Sequence, residues 1–298
     1  MAVSVRIKQK SIFKKKMKLN DIISLSNLDY GVFDEYYRLM PNKIKNNVFL
    51  YDKNNLGRGF ELWLEGSDIC LSLNLPCSKN DIIIFYQTIE KICTKLKINN
   101  YIRDGEFVSI KDNNELIESE IHVVEDVLIN EKKEIDDKSK EFFMIFAIYN
   151  PVFLGKKEFK DIDSNIDNFS NLLNEKQSID AYYAAPHFFK NKENENIFGM
   201  YAITEDVLSI VPIEPYVPFN QNIKTDDWRV CLIYKDMKND EKIKYSDFIN
   251  NVSKKYYDNN HVLVDLSKKD IENLVEKYGK KVKKKTKNGG LKLILKKI

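Results

Sequence analysis

Only five arginines stand among 43 lysines in this 298-residue chain, and three of them sit in short polar stretches where a planar guanidinium could grip an anion. The stretches are Gly57-Arg58-Gly59, Arg103-Asp104-Gly105-Glu106 and Asp226-Asp227-Trp228-Arg229. Where composition favours lysine so heavily, a retained arginine is a candidate for bidentate recognition of carboxylate or phosphate. His187 follows Pro186 and precedes two phenylalanines, a position at which a strand could end beside a cleft. Arg58, Arg103, Asp104, Glu106, His187 and Arg229 therefore form a candidate ligand-binding set, able to take a small anion or a substrate if they converge. The competing reading gives each arginine an internal ion pair.

Other chemistry is poorly supported. A dinucleotide loop places its glycines between a strand and a helix, so that the helix N-terminus meets the pyrophosphate. Here the pair at 57 and 59 precedes the alternating run Phe60-Glu61-Leu62-Trp63-Leu64-Glu65, Leu62 stands where a third glycine is needed, and no Gly-Lys-Ser/Thr follows. The pair reads as a bend or bulge at a strand start. His122, His187 and His261 are scattered, and His122 near Glu125 and Asp126 lacks the second histidine of a zinc-binding helix. Asp226 and Asp227 are adjacent carboxylates that a divalent cation could use, although such loop pairs are commonly just solvated. Cys70, Cys77, Cys93 and Cys231 show no metal or redox spacing and lie among apolar neighbours, as buried thiols do. No cofactor is expected.

Charge is unevenly spread. Residues 1–18 carry seven basic residues and residues 280–298 carry nine, neither with an acid, leaving 32 basic against 45 acidic residues between them, a net charge of −13. Basic ends could neutralise phosphates. The tail lysines, however, have no aromatics among them to stack on bases, and Asn288-Gly289 is a hairpin signal between two extended runs. A Lys-rich edge hairpin with Leu291, Leu293 and Leu295 inward is the expectation, which argues against nucleic acid.

The elements that would position these residues alternate. A strand over Val3–Gln9 precedes a helix over Leu19–Leu28, strands follow over Phe60–Leu64 and Ile69–Leu75, and Ser78 with Asp81 forms a capping box. That box opens a helix whose stripe is Ile82, Phe85, Ile89, Ile92, Cys93 and Leu96. A short strand at Tyr101 and a helix carrying Ile117, Ile121, Val124 and Leu128 complete the first half. The charged stretch 130–141 marks a boundary, giving an N-terminal subdomain over residues 1–135 and a C-terminal one over 141–298.

The second half repeats the rhythm. Strands are expected at Phe142–Tyr149, Ala181–Phe189, Phe198–Ile203, Val207–Pro212 and Trp228–Lys235, with a helix at Ile166–Asn174. Two later helices are capped by Ser246 and Ser267. The fold class is thus α+β, two similar mixed subdomains with largely antiparallel sheets flanked by helices, suggestive of internal duplication. Three prolines at 212, 215 and 218 stiffen a crossover on which Tyr216 and Phe219 could present an aromatic patch.

RGFELWLEG, LPCSKNDIIIFYQTIEKICTKL, YIRDGE, AYYAAPHFF and FGMYAITEDVLSIVPIEP together resemble a family of bacterial proteins of this length, found in Firmicutes and their neighbours and known only as a domain of unknown function. The resemblance spans nearly the whole chain, implies a bacterial cytosolic origin and carries no catalytic residues. The N-terminus lacks the sustained apolar run of a signal peptide, and the longest apolar run, Phe142–Tyr149, is far below the roughly 20 residues of a membrane span. The reading is a cytosolic binding or protein-interaction module without catalysis. The alternatives are an enzyme or anion-binding protein with its cleft at Arg58, Arg103 and His187, and, more weakly, a nucleic-acid binder using the basic ends.

Overall fold

The structure is a computed structural model that describes residues 1–9, 16–34, 38–191, 195–218, 222–225, 227–236, 240–279 and 291–293. The chain forms two compact units, Met1–Ile179 and Asp180–Ile298.

The first unit runs β1 (Ala2–Ile7), α1 (Leu19–Ser26), β2 (Asp29–Phe33), β3 (Leu39–Pro41), β4 (Asn47–Tyr51), β5 (Phe60–Glu65), β6 (Asp68–Asn74) and α2 (Lys79–Leu96). It continues with β7 (Asn100–Arg103), β8 (Glu106–Ser109), α3 (Asn113–Asp136), β9 (Phe143–Phe146), β10 (Pro151–Leu154), α4 (Lys156–Ile162) and α5 (Ile166–Gln177). Eight strands form one antiparallel sheet in the order β3-β2-β4-β5-β6-β1-β7-β8. Period-two alternation dictates its faces: Val3, Val5 and Ile7 of β1 point into the core, while Ala2, Ser4 and Arg6 point away from it.

Helices cover the apolar face. Ser78 caps α2 and Asp81 closes the capping box as expected, and Lys97 ends the helix in the left-handed conformation. Ile82, Phe85, Ile89 and Ile92 are buried, each contributing about 2 kcal/mol. In α3, Ile121, Val124 and Leu128 are buried on the expected stripe. This helix runs on to Asp136, so the first half of the charged stretch 130–141 is helical, and the whole stretch lies within the first unit. Ile145, Leu154, Phe159 and Phe169 from β9 to α5 join the same core as α2.

The second unit runs β11 (Tyr182–Tyr183), β12 (His187–Asn191), β13 (Ile197–Thr204), β14 (Ser209–Pro212), β15 (Asp227–Ile233), β16 (Asp240–Lys244), α6 (Tyr245–Ile249), β17 (Lys255–Tyr256), β18 (His261–Val264), α7 (Lys268–Tyr278) and β19 (Leu291–Leu293). Its two sheets are β11-β14-β18-β17 and β16-β15-β13-β12-β19, antiparallel except at β11/β14 and β13/β15. Tyr201, Ile203, Val211, Leu232, Phe248, Val264 and Ile271 centre its core. Helices with mostly antiparallel sheets make the expected α+β class.

Local expectations differ from the structure in three places. Phe142–Tyr149 is not one strand: β9 turns at Ala147–Asn150 and pairs with β10. Ala181–Phe189 divides around Pro186, which lacks the amide a ladder needs. Ser246 lies inside α6, whose N-cap is Lys244, whereas Ser267 caps α7 by accepting from the amide of Asp270. β19 pairs with β12, while the Asn288-Gly289 turn and Leu295 lie outside the described residues.

Candidate functional site

The loop at Gly57-Arg58-Gly59 cradles an anion, and that anion is the protein's own. The amides of Arg58 and Gly59 donate to the two carboxylate oxygens of Asp81 at 2.9 Å each, and the amide and hydroxyl of Ser78 donate to Asp81 Oδ2 at 3.1 and 2.7 Å. A Cβ on Gly57 would stand 2.1 Å from Asp81 Oδ2, and Gly59, with φ +65°, would place one 2.6 Å from the Leu50 carbonyl. β5 begins at once, so the strand-entry reading matches. The Arg58 side chain donates from Nε to the Phe146 carbonyl and from Nη1 to the Pro76 carbonyl, both at 2.9 Å.

Arg103 is similarly occupied. It pairs through Nη2 with Glu120, donates from Nε to the Tyr86 hydroxyl at 3.2 Å and lies 3.4 Å from Asp104. Tyr86 donates to the same buried Glu120 at 3.1 Å. Burial opposes the charge on Arg103, but the bonds to Glu120 and Tyr86 outweigh it and raise its pKa. Asp104 and Gly105, both with positive φ, form the two-residue turn between β7 and β8, and Asp104 accepts from the amide of Ser4 at 2.8 Å. Glu106 follows as an exposed residue of β8.

His187 and Arg229 belong to the second unit. They flank Met200 on one row of its five-stranded sheet, His187 opposite Met200 and Met200 opposite Arg229. Arg229 donates to Asp227 at 2.9 Å and lies over the Phe198 ring at 4.5 Å. Asp226 and Phe219 lie outside the described residues. His122 is exposed on α3 with Glu125 3.8 Å away. Among the described residues no group of three His, Cys, Asp or Glu is placed to hold a metal. All four cysteines are buried, and burial pushes their thiols up, Cys93 to about 12 and Cys231 to about 11.

The constellation that most resembles catalytic machinery escaped the sequence reading. His261, 1% exposed at the start of β18, bonds through Nδ1 to Asp258 Oδ1 at 2.9 Å, and that oxygen also accepts from the amide of Asn260. A carboxylate oxygen can only accept, so the Nδ1 proton is the one donated to Asp258. Nε2 faces the hydroxyls of Tyr183 at 3.1 Å and Tyr216 at 3.3 Å, themselves 2.8 Å apart. Burial raises both phenols, Tyr216 to about 12 against the opposing bond from Tyr183. Both phenols are therefore held protonated at neutral pH. The cluster's visible work is to fasten the proline segment, with Tyr201 bonded to the Tyr216 backbone and Tyr245 donating to the Pro212 carbonyl. The turn Asp258-Asn259-Asn260-His261 was a legible signal for the Asp–His pair; the tyrosines, 78 and 45 residues away, were not.

The outward face of the first unit's sheet carries one exposed aromatic side chain on its edge strand. Register aligns Asn47, Trp63, Cys70, Arg6, Ile102 and Phe107 in a single row across β4, β5, β6, β1, β7 and β8. Phe107, on the edge strand, is 72% exposed. Beside it a depression of ≈ 230 Å³ is lined by Arg6, Lys8, Asn99, Asn100, Ile102 and Phe107 among others. A second depression, of ≈ 390 Å³, lies between α1 and α2 and is lined by Leu25, Gln87, Glu90, Lys91, Thr94 and Lys95. No helix among the described residues is long and apolar enough to cross a membrane.

A family model described as a domain of unknown function, DUF4299, matches residues 2–274. Searches of curated proteins and of solved structures each returned no match. The family match covers the first unit from Ala2 onward and the second into α7, so the chain belongs to the domain-of-unknown-function family DUF4299.

Proposed function

We propose that this chain is a non-catalytic binding module whose partner docks on the outward face of the first unit's sheet, at the corner formed by β1, β7 and β8. The observation that carries this reading is Phe107, a large apolar side chain exposed on an edge strand, level with Ile102 and Arg6 and bordering a depression. Aromatic anchors at the centre of such patches supply most of the energy of protein interfaces. A small-anion site around Arg58, Arg103 and His187 has less in its favour. Arg58 and Arg103 each make several internal bonds, which a ligand would have to replace.

The test is site-specific photocrosslinking in cells that naturally express the chain, with a benzophenone amino acid at position 107 and, as control, at Lys97. A single defined adduct from position 107 and none from 97 supports the reading. Equal labelling, or none, rejects it.

A further inference from the structure

Resting on that reading, we infer that the partner is an extended acidic segment in which an apolar residue stands two positions from a carboxylate. Two observations converge on this chemistry. Extending the register of β1 with β7, in which Arg6 faces Ile102, sets Lys8 opposite Asn100, and both line the same depression. The outward face at this corner thus has one row of Phe107, Ile102 and Arg6 and a neighbouring row of Ser109, Asn100 and Lys8. Rows two residues apart along a strand are separated by about 6.7 Å, which is also the i to i+2 spacing on one face of an extended peptide.

The charges select the sign of the ligand. Arg6 is held by Glu65 and by Asp68 at 3.5 Å, so its charge is offset within the sheet. Lys8 has no ion pair among the described residues and is exposed. Asn99 and Asn100, whose side-chain amides are hydrogen-bond donors, line the same depression. An apolar side chain laid on Ile102 against Phe107 therefore brings a carboxylate two residues on to Lys8 and Asn100.

Fluorescence anisotropy with three labelled synthetic peptides tests this: Ser-Leu-Ser-Glu-Ser, the same peptide with Gln for Glu, and one with Glu moved next to Leu. The inference expects the first to bind the full chain about three- to fivefold more tightly than the other two, the scale of one exposed ion pair. Lys8→Glu should remove the preference, and a peptide with Lys in place of Glu should regain affinity for that variant. Equal binding of the Glu and Gln peptides, or no binding by any, overturns the inference. The binding-module reading itself stands or falls separately, on whether position 107 crosslinks to a partner.

Discussion

The carboxylate of Asp81 occupies the amide cradle of Gly59, accepting its N–H at 2.9 Å while its other oxygen accepts the N–H of Arg58. A glycine loop with the local chemistry of a phosphate site is thereby turned into a joint that fixes the entry of β5 to the N-terminus of α2. The same carboxylate completes the α2 cap, so one side chain satisfies three amides and a hydroxyl.

Gly57→Ala should cost about 2 kcal/mol or more, because its Cβ would overlap Asp81 Oδ2 at 2.1 Å. Asp81→Ala should cost about 3 kcal/mol, since it strands buried donors. Both are read from urea midpoints, and losses below about 0.5 kcal/mol would show that the loop is held by something other than this carboxylate.

Arg103→Ala should destabilise by about 3 kcal/mol and Arg103→Lys by about 1–2, because Glu120 is only 2% exposed and is left with Tyr86 and, at best, a single ammonium. Tyr86→Phe removes a second donor to Glu120, so it should be non-additive with Arg103→Ala. Additivity in a double-mutant cycle would mean that the three groups do not act as one network.

How much could be read from the chain depended on the range of the interaction. The Ser78–Asp81 box, the α2 stripe and the bend at Gly57-Gly59 are local patterns and are where the sequence placed them. The partner of the glycine pair, 22 residues on from Gly59, and the convergence of Tyr183, Tyr216 and His261 depend on tertiary contacts that no periodicity encodes. Strands β2, β3 and β4 were missed because they are only five, three and five residues long and their sequences DYGVF, LMP and NVFLY carry no polar–apolar alternation. The row from Trp63 to Phe107 was hidden for a different reason: it joins strands that are adjacent in the sheet but distant in the chain.

Tyr216 links stability to alkaline pH. Its phenol is raised to about 12 in the folded chain, against about 10 when unfolded, so the folded state holds its proton more tightly. Its contribution is complete below pH 10 and is lost as pH rises toward 12. Urea midpoints at pH 8, 10 and 11 should fall across the last interval, and Tyr216→Phe should flatten that fall. An equal fall in wild type and variant would place the alkaline sensitivity elsewhere.

His261→Leu should cost about 3 kcal/mol, because it leaves the fully buried Asp258 without its Nδ1 donor. Asp258→Asn in addition should recover part of that loss. No recovery would mean that the histidine matters through packing and not through the carboxylate.

Phe107→Ser removes an apolar surface that is already in water, so it should leave the melting temperature within about 2 °C of wild type. The decisive measurement is crosslinking from position 107 in cells that express the chain, compared with Lys97. One defined partner adduct at 107, competed by an acidic extended peptide and absent at 97, is the predicted result. No adduct at 107, or the same products from both positions, would contradict a docking surface at the β1-β7-β8 corner.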